Sequence, residues 1–491
     1  MKRIFLLSLL CSAVGMAVEF DSVFGDHMVL QQGTPIVISG TTDKSGDITL
    51  TFGDAKVKAA VKGKKWQATL PPQTATAEGK TLTATQGSAT AELTDVVVGE
   101  VWIASGQSNM LFRMNQTDNG KTAIAESANS NLRFYHSEPQ LHTNNAVYNE
   151  AELQRMRDSK MYEGHWAVSA PESSPRMSAV GYWFGKSLQE HLGVPVGVIH
   201  AALGGSEMLA WMPEKTLKKK YADCLTPKWL ESKYISAWVR GRASKNLGAD
   251  KAGNHPYGPG FLYKTGIEPW KHFPVAGVIW YQGESDAEIQ DMKQNGQLLG
   301  DLITSWRKEL GKENLPFIQV QLPRINDKTP LRAYWPEFRL VQADAAAKMP
   351  GVECVTTIDL GSTNSDVHPN RKVEVGERLA LTAAAKVYGK ELEYSGPVIT
   401  GVQKQGKELV LTMAHAKGLH TKNGAAPVGF EVAAANGDFS PAEARIEGES
   451  IILSCPAVKS PARARYGWAT YMEPNLVNEA DLPTVPYPGT R

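Results

Sequence analysis

The sequence predicts an α/β protein, in which a three-layer α/β/α domain with a five-stranded parallel sheet is flanked by β-sandwich-like N-terminal and C-terminal regions. In the middle of the chain, short apolar runs alternate with helix-like stretches, which is the pattern of a parallel sheet covered on both faces. At both ends, apolar and polar residues alternate between Gly and Pro turns, as in antiparallel β-structure. The 491 residues are enough for two or three domains, and the net charge of +1 gives no indication of a nucleic-acid partner.

The first residues have the character of a secretory signal. Lys2 and Arg3 precede an apolar stretch over residues 4–14, and small residues around Ala17 stand at the positions that a signal peptidase reads. The stretch is too short for a helix that spans a membrane. We therefore expect cleavage after Ala17, a secreted or periplasmic protein and no membrane span.

The cysteines predict neither a disulfide framework nor a metal site. Cys11 follows Leu10, which is a poor fit to a lipoprotein site. The other three, Cys224, Cys354 and Cys455, are widely spaced and lack the spacing of metal ligands. We expect buried thiols, without a metal and without a cysteine nucleophile.

Composition divides the chain into three regions after the signal. Residues 18–95 predict an N-terminal β-sandwich domain, since runs such as 48–52 and 66–70 alternate apolar with polar side chains. Residues 96–390 form the predicted α/β domain, and ligands of such sheets lie at the carboxyl ends of the strands. Its apolar runs, each an expected strand, are residues 96–104, 194–200, 275–280, 317–322 and 352–359. Residues 391–491 return to a β-pattern, which fits either a separate sandwich or strands packed with the N-terminal domain.

A serine turn follows the first apolar run of the α/β domain. Gly106-Gln107-Ser108-Asn109 stands where that strand should end and a helix should begin. A serine on such a bend projects its hydroxyl from the sheet edge, and the following N–H groups face an incoming carbonyl. Ser108 is therefore the candidate nucleophile.

Paired glycines and an amide follow the next two runs. Gly204 and Gly205 let the backbone turn an N–H group into a pocket, although a plain tight turn is the more common role of paired glycines. Gln282 offers an amide N–H, the type of group that stabilises a developing alkoxide. Glu284 fits either a buried carboxylate that orients this loop or a solvated loop acid.

An acid and a histidine follow the last run. Asp366 lies two residues before His368 and can curl back to hold its Nδ1–H, which leaves Nε2 free to take the serine proton. Pro369 and the helix predicted for residues 373–388 place His368 on a rigid loop. Most histidines are not catalytic, but His368 has an acid beside it and follows a strand of the same sheet as Ser108.

The order of these four segments resembles the four sequence blocks of the SGNH hydrolases. Over nearly its whole mature length, the chain is similar to the secreted sialate O-acetylesterase family. The similar stretches are residues 24–31, 99–102, 106–110, 178–182, 204–212, 278–285, 366–369 and 475–483. The resemblance implies an SGNH-hydrolase-like fold and a serine carbohydrate esterase that uses no metal and no other cofactor.

The resemblance also implies a role for each residue of the site. Ser108 would be the nucleophile, and His368 would act first as general base and then as general acid. The oxyanion donors would be the N–H groups of Ser108 and Gly205 and the amide of Gln282. Asn109 would support the site, and the reaction would pass through an acetyl-serine intermediate.

The acid of the triad is the least determined member. Many SGNH hydrolases place it three residues before the histidine, where this chain has Ser365. Asp366 is the acid that we predict. Asp359 or Glu284 could take its place.

The leading interpretation is an esterase that removes O-acetyl groups from sialic acids on glycans. One alternative keeps the triad and acts on acetylated xylan or xyloglucan. Another is a non-catalytic carbohydrate-binding protein, although the intact set of Ser108, Gln282 and His368 argues against it. Sugar recognition calls for aromatic platforms and, for a sialate carboxylate, an arginine. The candidates are Trp211, Trp280 and Trp335 together with Arg113, Arg324, Arg332 and Arg339, although a tryptophan is more often a core residue than a platform.

Overall fold

The computed structural model describes residues 18–225, 228–250 and 254–489. The predicted signal sequence and its cleavage point lie outside these residues. Across the described ranges, no helix is long and apolar enough to cross a membrane. Cys224, Cys354 and Cys455 are unpaired, as expected; Cys224 and Cys455 are buried, whereas Cys354 is partly exposed.

The N-terminal region is a set of mostly antiparallel strands. They are β1 (Glu19–Phe20), β2 (Val29–Gln31), β3 (Ile36–Thr41), β4 (Ile48–Phe52), β5 (Ala55–Lys62), β6 (Lys65–Leu70) and β7 (Thr76–Gln86). Their order is β1-β3-β6-β5-β4-β7. Burial alternates along β4 and β6, because every second side chain of a strand points to the core. These two strands confirm the alternating runs of the sequence.

One long strand joins this region to the centre of the molecule. Strand β8 (Ala89–Gly106) pairs antiparallel with β7 in its first part and parallel with β2. Asp95 has a φ of 51°, and Arg133 Nη2 donates to its Oδ1 over 3.1 Å. The domain boundary expected between Asp95 and Val96 therefore falls inside a single strand.

Within the described residues, the central sheet contains six parallel strands in the order β9-β11-β8-β12-β13-β14. The further strands are β9 (Asn129–Pro139), β10 (Tyr162–Ser169), β11 (Val196–Ala202), β12 (Gly277–Tyr281), β13 (Phe317–Val320) and β14 (Val352–Val355). All five predicted runs form strands of this sheet. The prediction of five strands is corrected to six, because β9 also runs parallel, with the antiparallel β10 at its outer edge.

Helices cover both faces of the central sheet, and the α/β class is thereby confirmed. The helices are α1 (Ser108–Leu111), α2 (Gly120–Ala125), α3 (Glu150–Arg157), α4 (Ala179–Leu192), α5 (Glu214–Lys220), α6 (Ala237–Leu247), α7 (Met292–Glu309), α8 (Trp335–Lys348) and α9 (Val373–Lys386). Along β8, Val101 and Ile103 lie in one hydrophobic cluster with side chains of α7 and α8. Trp102 and Ala104 lie in a second cluster with side chains of α4 and α9.

The C-terminal strands surround a hydrophobic cluster of their own. They are β15 (Val398–Gln405), β16 (Glu408–Ala414), β17 (His420–Thr421), β18 (Phe430–Ala433), β19 (Ser440–Pro441), β20 (Glu443–Glu447), β21 (Ser450–Ser454), β22 (Arg463–Tyr466) and β23 (Leu476–Val477). Leu411, Val432 and Leu453 belong to this cluster, whereas the N-terminal strands share a cluster with the central sheet. Arg339 of α8 ties the region to the centre, because its Nη1 donates to the Ala469 carbonyl over 2.7 Å.

Two glycines, Gly106 at the end of β8 and Gly300 within α7, should respond differently to substitution by alanine. Gly106 has a φ of 138°, and a Cβ there would overlap the Tyr281 carbonyl oxygen, whereas Gly300 lies within α7 with nothing within 4 Å. Gly106→Ala should lower the free energy of unfolding by at least about 2 kcal/mol. Gly300→Ala should raise it by up to about 1 kcal/mol, since alanine is the better helix former. Urea denaturation of both variants measures the difference, and equal stabilities would contradict the close approach at Gly106.

Candidate active site

The nucleophile turn has the predicted strand–turn–helix form. Strand β8 ends at Gly106, the N–H of Gln107 donates to the Tyr281 carbonyl over 3.0 Å, and Ser108 begins α1. Ser108 is partly exposed, while Gln107 and Asn109 on either side are buried. The hydroxyl therefore lies at the carboxyl edge of the sheet, where ligands of parallel sheets bind.

The first of the paired glycines, Gly204, lies directly against this serine. A Cβ at Gly204 would stand 3.4 Å from the Cβ of Ser108. Gly205 has a φ of 74°, and a Cβ there would overlap the indole of Trp238 and the hydroxyl of Tyr257. Within the described residues, the N–H groups of Ser108 and Gly205 donate to no protein acceptor. Two free backbone donors beside a serine hydroxyl can receive a negatively charged oxygen.

The amide of Gln282 is engaged inside the protein. It is buried, and its Nε2 donates to Gln107 Oε1 over 2.9 Å and to the Ser206 carbonyl over 2.7 Å. Nε2 also contacts Asp286 Oδ2. Both amide hydrogens therefore have protein acceptors in this conformation. The role of Gln282 as an oxyanion donor stays a prediction, and it requires one of these bonds to be exchanged for the substrate.

Gln107 is a structural residue that the sequence did not single out. Its Oε1 accepts from Gln282 Nε2 and from the N–H groups of Gly283 and Ser285, at 3.4 and 3.3 Å. The residue before the nucleophile thus organises the turn that follows β12. A glutamine in a turn has no sequence signature for this role, because the partners lie about 175 residues away.

Asp366 is the acid that contacts the histidine. Its Oδ1 lies 3.3 Å from His368 Nδ1 and accepts the His368 N–H over 2.9 Å. Asp359 instead makes two bonds of 2.7 Å to the guanidinium of Arg378. Glu284 is buried and accepts from Asn109 Nδ2. Of the three candidate acids, only Asp366 stands beside His368.

Asn109 connects the nucleophile turn to the histidine loop. Its Nδ2 donates to the Val367 carbonyl over 2.8 Å, and the ring of Phe112 stacks on His368 with the centroids 6.3 Å apart. In the described part of the chain, no hydrogen bond joins Ser108 Oγ to His368. Catalytic hydrogen bonds are often long without substrate and shorten in the complex.

Burial and charge act together on the histidine. Burial lowers the pKa of His368, the positive charge of Lys372 lowers it further, and Asp366 opposes both. Burial therefore favours the neutral form of His368, which is the form that a general base needs. Lys372 is fully buried and its Nζ donates to Asn109 Oδ1. The sequence did not reveal it, since a buried lysine looks like any solvated one.

The three tryptophans proposed as sugar platforms are core residues. Trp211, Trp280 and Trp335 are each at most 1% exposed, and the rings of Trp211 and Trp280 pack edge to face. The prediction was wrong because hydrophobic packing buries them. Trp238 is 40% exposed and lies against Gly205, with the guanidinium of Arg242 5.0 Å from its ring centre.

The four candidate arginines all have protein partners. Arg339 is buried and donates to backbone carbonyls, and Arg332 pairs with Glu288 at 2.8 Å. Arg113 pairs with Glu138 at 2.6 Å and keeps 29% of its side chain exposed. Arg324 stacks on the ring of Tyr471 at 5.5 Å. Arg339 and Arg332 are thus structural.

Comparison with known proteins places the chain in a family. The family described as carbohydrate esterase, sialic acid-specific acetylesterase, matches residues 98–385. The sialate O-acetylesterase of Homo sapiens is 26% identical, over 94% of this chain and 89% of its own length. That of Mus musculus is 28% identical, over 79% of this chain and 76% of its own length.

A solved structure is similar over almost the whole chain. A carbohydrate acetylesterase from Xanthomonas citri is 30% identical, with a TM-score of 0.78 over 96% of this chain and 99% of that one. The resemblance drawn from the sequence is thereby confirmed. The chain belongs to the carbohydrate esterase family of sialic acid-specific acetylesterases, and it is a carboxylic ester hydrolase.

Proposed function

We propose that this chain removes O-acetyl groups from sialic acids on glycans, with Ser108 as the nucleophile. The observation that carries the proposal is the turn at the end of β8, where Ser108 begins a helix and lies against Gly204, the residue before the free N–H of Gly205. The sialate O-acetylesterases that are similar over most of the chain support the choice of substrate. The signal-like first residues support action in the periplasm or outside the cell.

Acyl transfer to the serine is the first half of the reaction. Ser108 Oγ attacks the acetyl carbonyl carbon while His368 Nε2 takes the hydroxyl proton. The carbonyl oxygen becomes an oxyanion, which accepts from the N–H groups of Ser108 and Gly205. The C–O bond to the sugar then breaks, and the leaving sugar oxygen takes the proton from His368. The products are a free sugar hydroxyl and acetyl-Ser108.

Water completes the cycle. His368 removes a proton from a water molecule, which attacks the acetyl carbonyl at the same oxyanion site. Collapse releases acetate and returns the proton from His368 to Ser108 Oγ. Asp366 holds Nδ1–H in both halves, so its charge stabilises the imidazolium that forms twice in each turnover.

Trp238 and Arg242 are the proposed contacts to the sugar. The Gly204–Gly205 turn lies between Ser108 on one side and the exposed indole of Trp238 on the other. We infer that a sugar whose acetyl group reaches Ser108 contacts this indole. The Arg242 guanidinium stacks on the ring and donates to the Thr143 carbonyl, and its charge suits the carboxylate of a sialic acid.

Ser108→Ala should abolish ester hydrolysis while the fold is kept. Loss of a triad member typically costs at least about a thousandfold in kcat. Acetate release from O-acetylated sialic acid and from acetylated xylan, measured side by side, provides the assay. Ser130→Ala, at an exposed position of β9, is the matched control and should behave as wild type. Serine-dependent acetate release from xylan alone would show that the substrate is an acetylated plant glycan. Release from neither substrate would favour a non-catalytic binding protein.

Asp366→Asn and Asp359→Asn should have different effects. Asp366→Asn should lower kcat by at least about tenfold, because the imidazolium loses its counter-charge. Asp359→Asn should lower the free energy of unfolding by about 3 kcal/mol, because it leaves the buried Arg378 without its partner. Steady-state kinetics and urea denaturation measure the two effects. A larger loss of kcat in a folded Asp359→Asn would make Asp359 the triad acid.

The Asp359–Arg378 pair also predicts how the difference in the free energy of unfolding between wild type and Asp359→Asn varies with pH. Burial opposes the charge of Asp359, but the bonds from Arg378 prevail and hold its pKa below the ordinary value of 3.8. The stabilisation is therefore fully present above that value and is lost as the pH falls through the lower folded-state pKa. Wild type and Asp359→Asn should differ equally at pH 7 and pH 5. A difference that shrinks already above pH 5 would contradict the ion pair.

Trp238→Ala should weaken glycan binding more than it affects a minimal ester. We expect KM for an O-acetylated sialoside to rise by about fivefold, since an exposed aromatic contact is worth about 1 kcal/mol. Arg242→Gln should raise KM for the sialoside and not for acetylated xylan, because only the former carries a carboxylate. Equal effects of Arg242→Gln on both substrates would contradict the carboxylate contact.

A further inference from the structure

A fully buried lysine stands next to the site and takes no part in the chemistry described so far. Lys372 lies four residues after His368, directly before α9, and is 0% exposed. Its Nζ donates to Asn109 Oδ1 and lies 4.9 Å from the ring centre of Phe112 and 5.4 Å from that of Tyr281. Burying an ammonium group is costly unless it is compensated, so its position calls for an explanation.

Both the oxygen and the nitrogen of the Asn109 side-chain amide are hydrogen-bonded. Its Oδ1 accepts from Lys372, and its Nδ2 donates to Glu284 Oε1 and to the Val367 carbonyl. The amide therefore joins the nucleophile turn, the turn after β12 and the histidine loop. Lys372 and Glu284 place opposite charges at the two ends of the amide, which fixes its orientation.

We propose that Lys372 is a positioning residue of this esterase, which holds the His368 loop against the Ser108 turn through Asn109. The inference rests on the proposed function of Ser108 and His368. The side chain of Asn109 makes two hydrogen bonds to the His368 loop, one from Lys372 Nζ and one to the Val367 carbonyl. A displacement of about 1 Å between reacting groups can lower a rate by about a hundredfold. Hydrogen bonds that hold the two loops in place therefore affect turnover directly.

Lys372 also acts on the histidine through its charge. Phe112 contacts both groups, since its ring stacks on His368 and faces Lys372 Nζ. The charged groups around them are Asp366 on the same loop and Glu284 from the turn after β12, with Arg332 facing Glu284. Burial lowers the pKa of Lys372 to about 7, so the ammonium is charged in the acidic range where His368 titrates.

The sign of the effect on pH dependence follows from this charge. A cation near His368 disfavours its protonation, so loss of the cation raises the pKa of His368. Activity requires neutral His368. The acidic limb of kcat/KM should therefore move to higher pH when the charge of Lys372 is removed.

The test compares two variants, Glu284→Gln and Lys372→Met/Glu284→Gln, which differ only at Lys372. Lys372→Met alone removes one of the two cations, Lys372 and Arg332, that compensate the buried Glu284. We therefore compare Glu284→Gln with the double variant Lys372→Met/Glu284→Gln. The double variant leaves no uncompensated buried charge and should fold. Relative to Glu284→Gln, it should show kcat lowered by about tenfold to a hundredfold, with KM changed less than about threefold. Its acidic limb should move up by roughly half a pH unit or more. Lys390→Met, at an exposed lysine, is the control and should match wild type.

The outcomes separate this inference from the proposed function. A folded double variant with the kcat and the acidic limb of Glu284→Gln would overturn the positioning role. A double variant that fails to fold would also overturn it, in favour of a role in stability. Ser108→Ala is assayed alongside. If Ser108→Ala keeps its activity, the proposed function fails whatever Lys372 does, and if it is inactive while the double variant matches Glu284→Gln, only this inference fails.

Discussion

The site depends on the register of three parallel strands. Strand β8 is paired on one side with β11 and on the other with β12, and both Ala202 and Tyr281 stand opposite Gly106. The three strands therefore end at one level, and the turns that follow them meet at one edge of the sheet. Gly106 allows the closest of these approaches, because only a residue without a side chain fits against the Tyr281 carbonyl.

Polar side chains next to the nucleophile mostly hold the turns in place. Gln107, Asn109 and Glu284 are buried, and their hydrogen bonds connect turns that are far apart in the sequence. Such groups are costly to bury unless they are satisfied, and satisfied networks make a single arrangement rigid. The reacting groups, by contrast, keep some exposure: 37% of the His368 side chain and 58% of the Asp366 side chain are accessible. The buried polar residues thus keep the turns rigid, and the exposed faces of His368 and Asp366 leave room for a substrate.

The sequence predicted the elements whose signal is local. The five apolar runs became strands because continuous burial on both faces leaves a continuous apolar pattern. Strand β9 was missed because Arg133, His136 and Glu138 interrupt its apolar residues. The tryptophan platforms were wrong because composition does not show which large side chains packing will bury. Likewise, nothing near Asp359 in the sequence shows that Arg378 engages it, or that Lys372 is buried beside Asn109.

The most direct test of Ser108 as the nucleophile is to find the covalent intermediate. The enzyme would be mixed with O-acetylated sialic acid, quenched with acid on the millisecond-to-second scale, digested and examined by mass spectrometry. The nucleophile role of Ser108 predicts one acetyl group, located on the peptide that contains Ser108, which decays as acetate appears. An acetyl group on another residue, or full turnover with an unmodified Ser108 peptide at every time point, would contradict it.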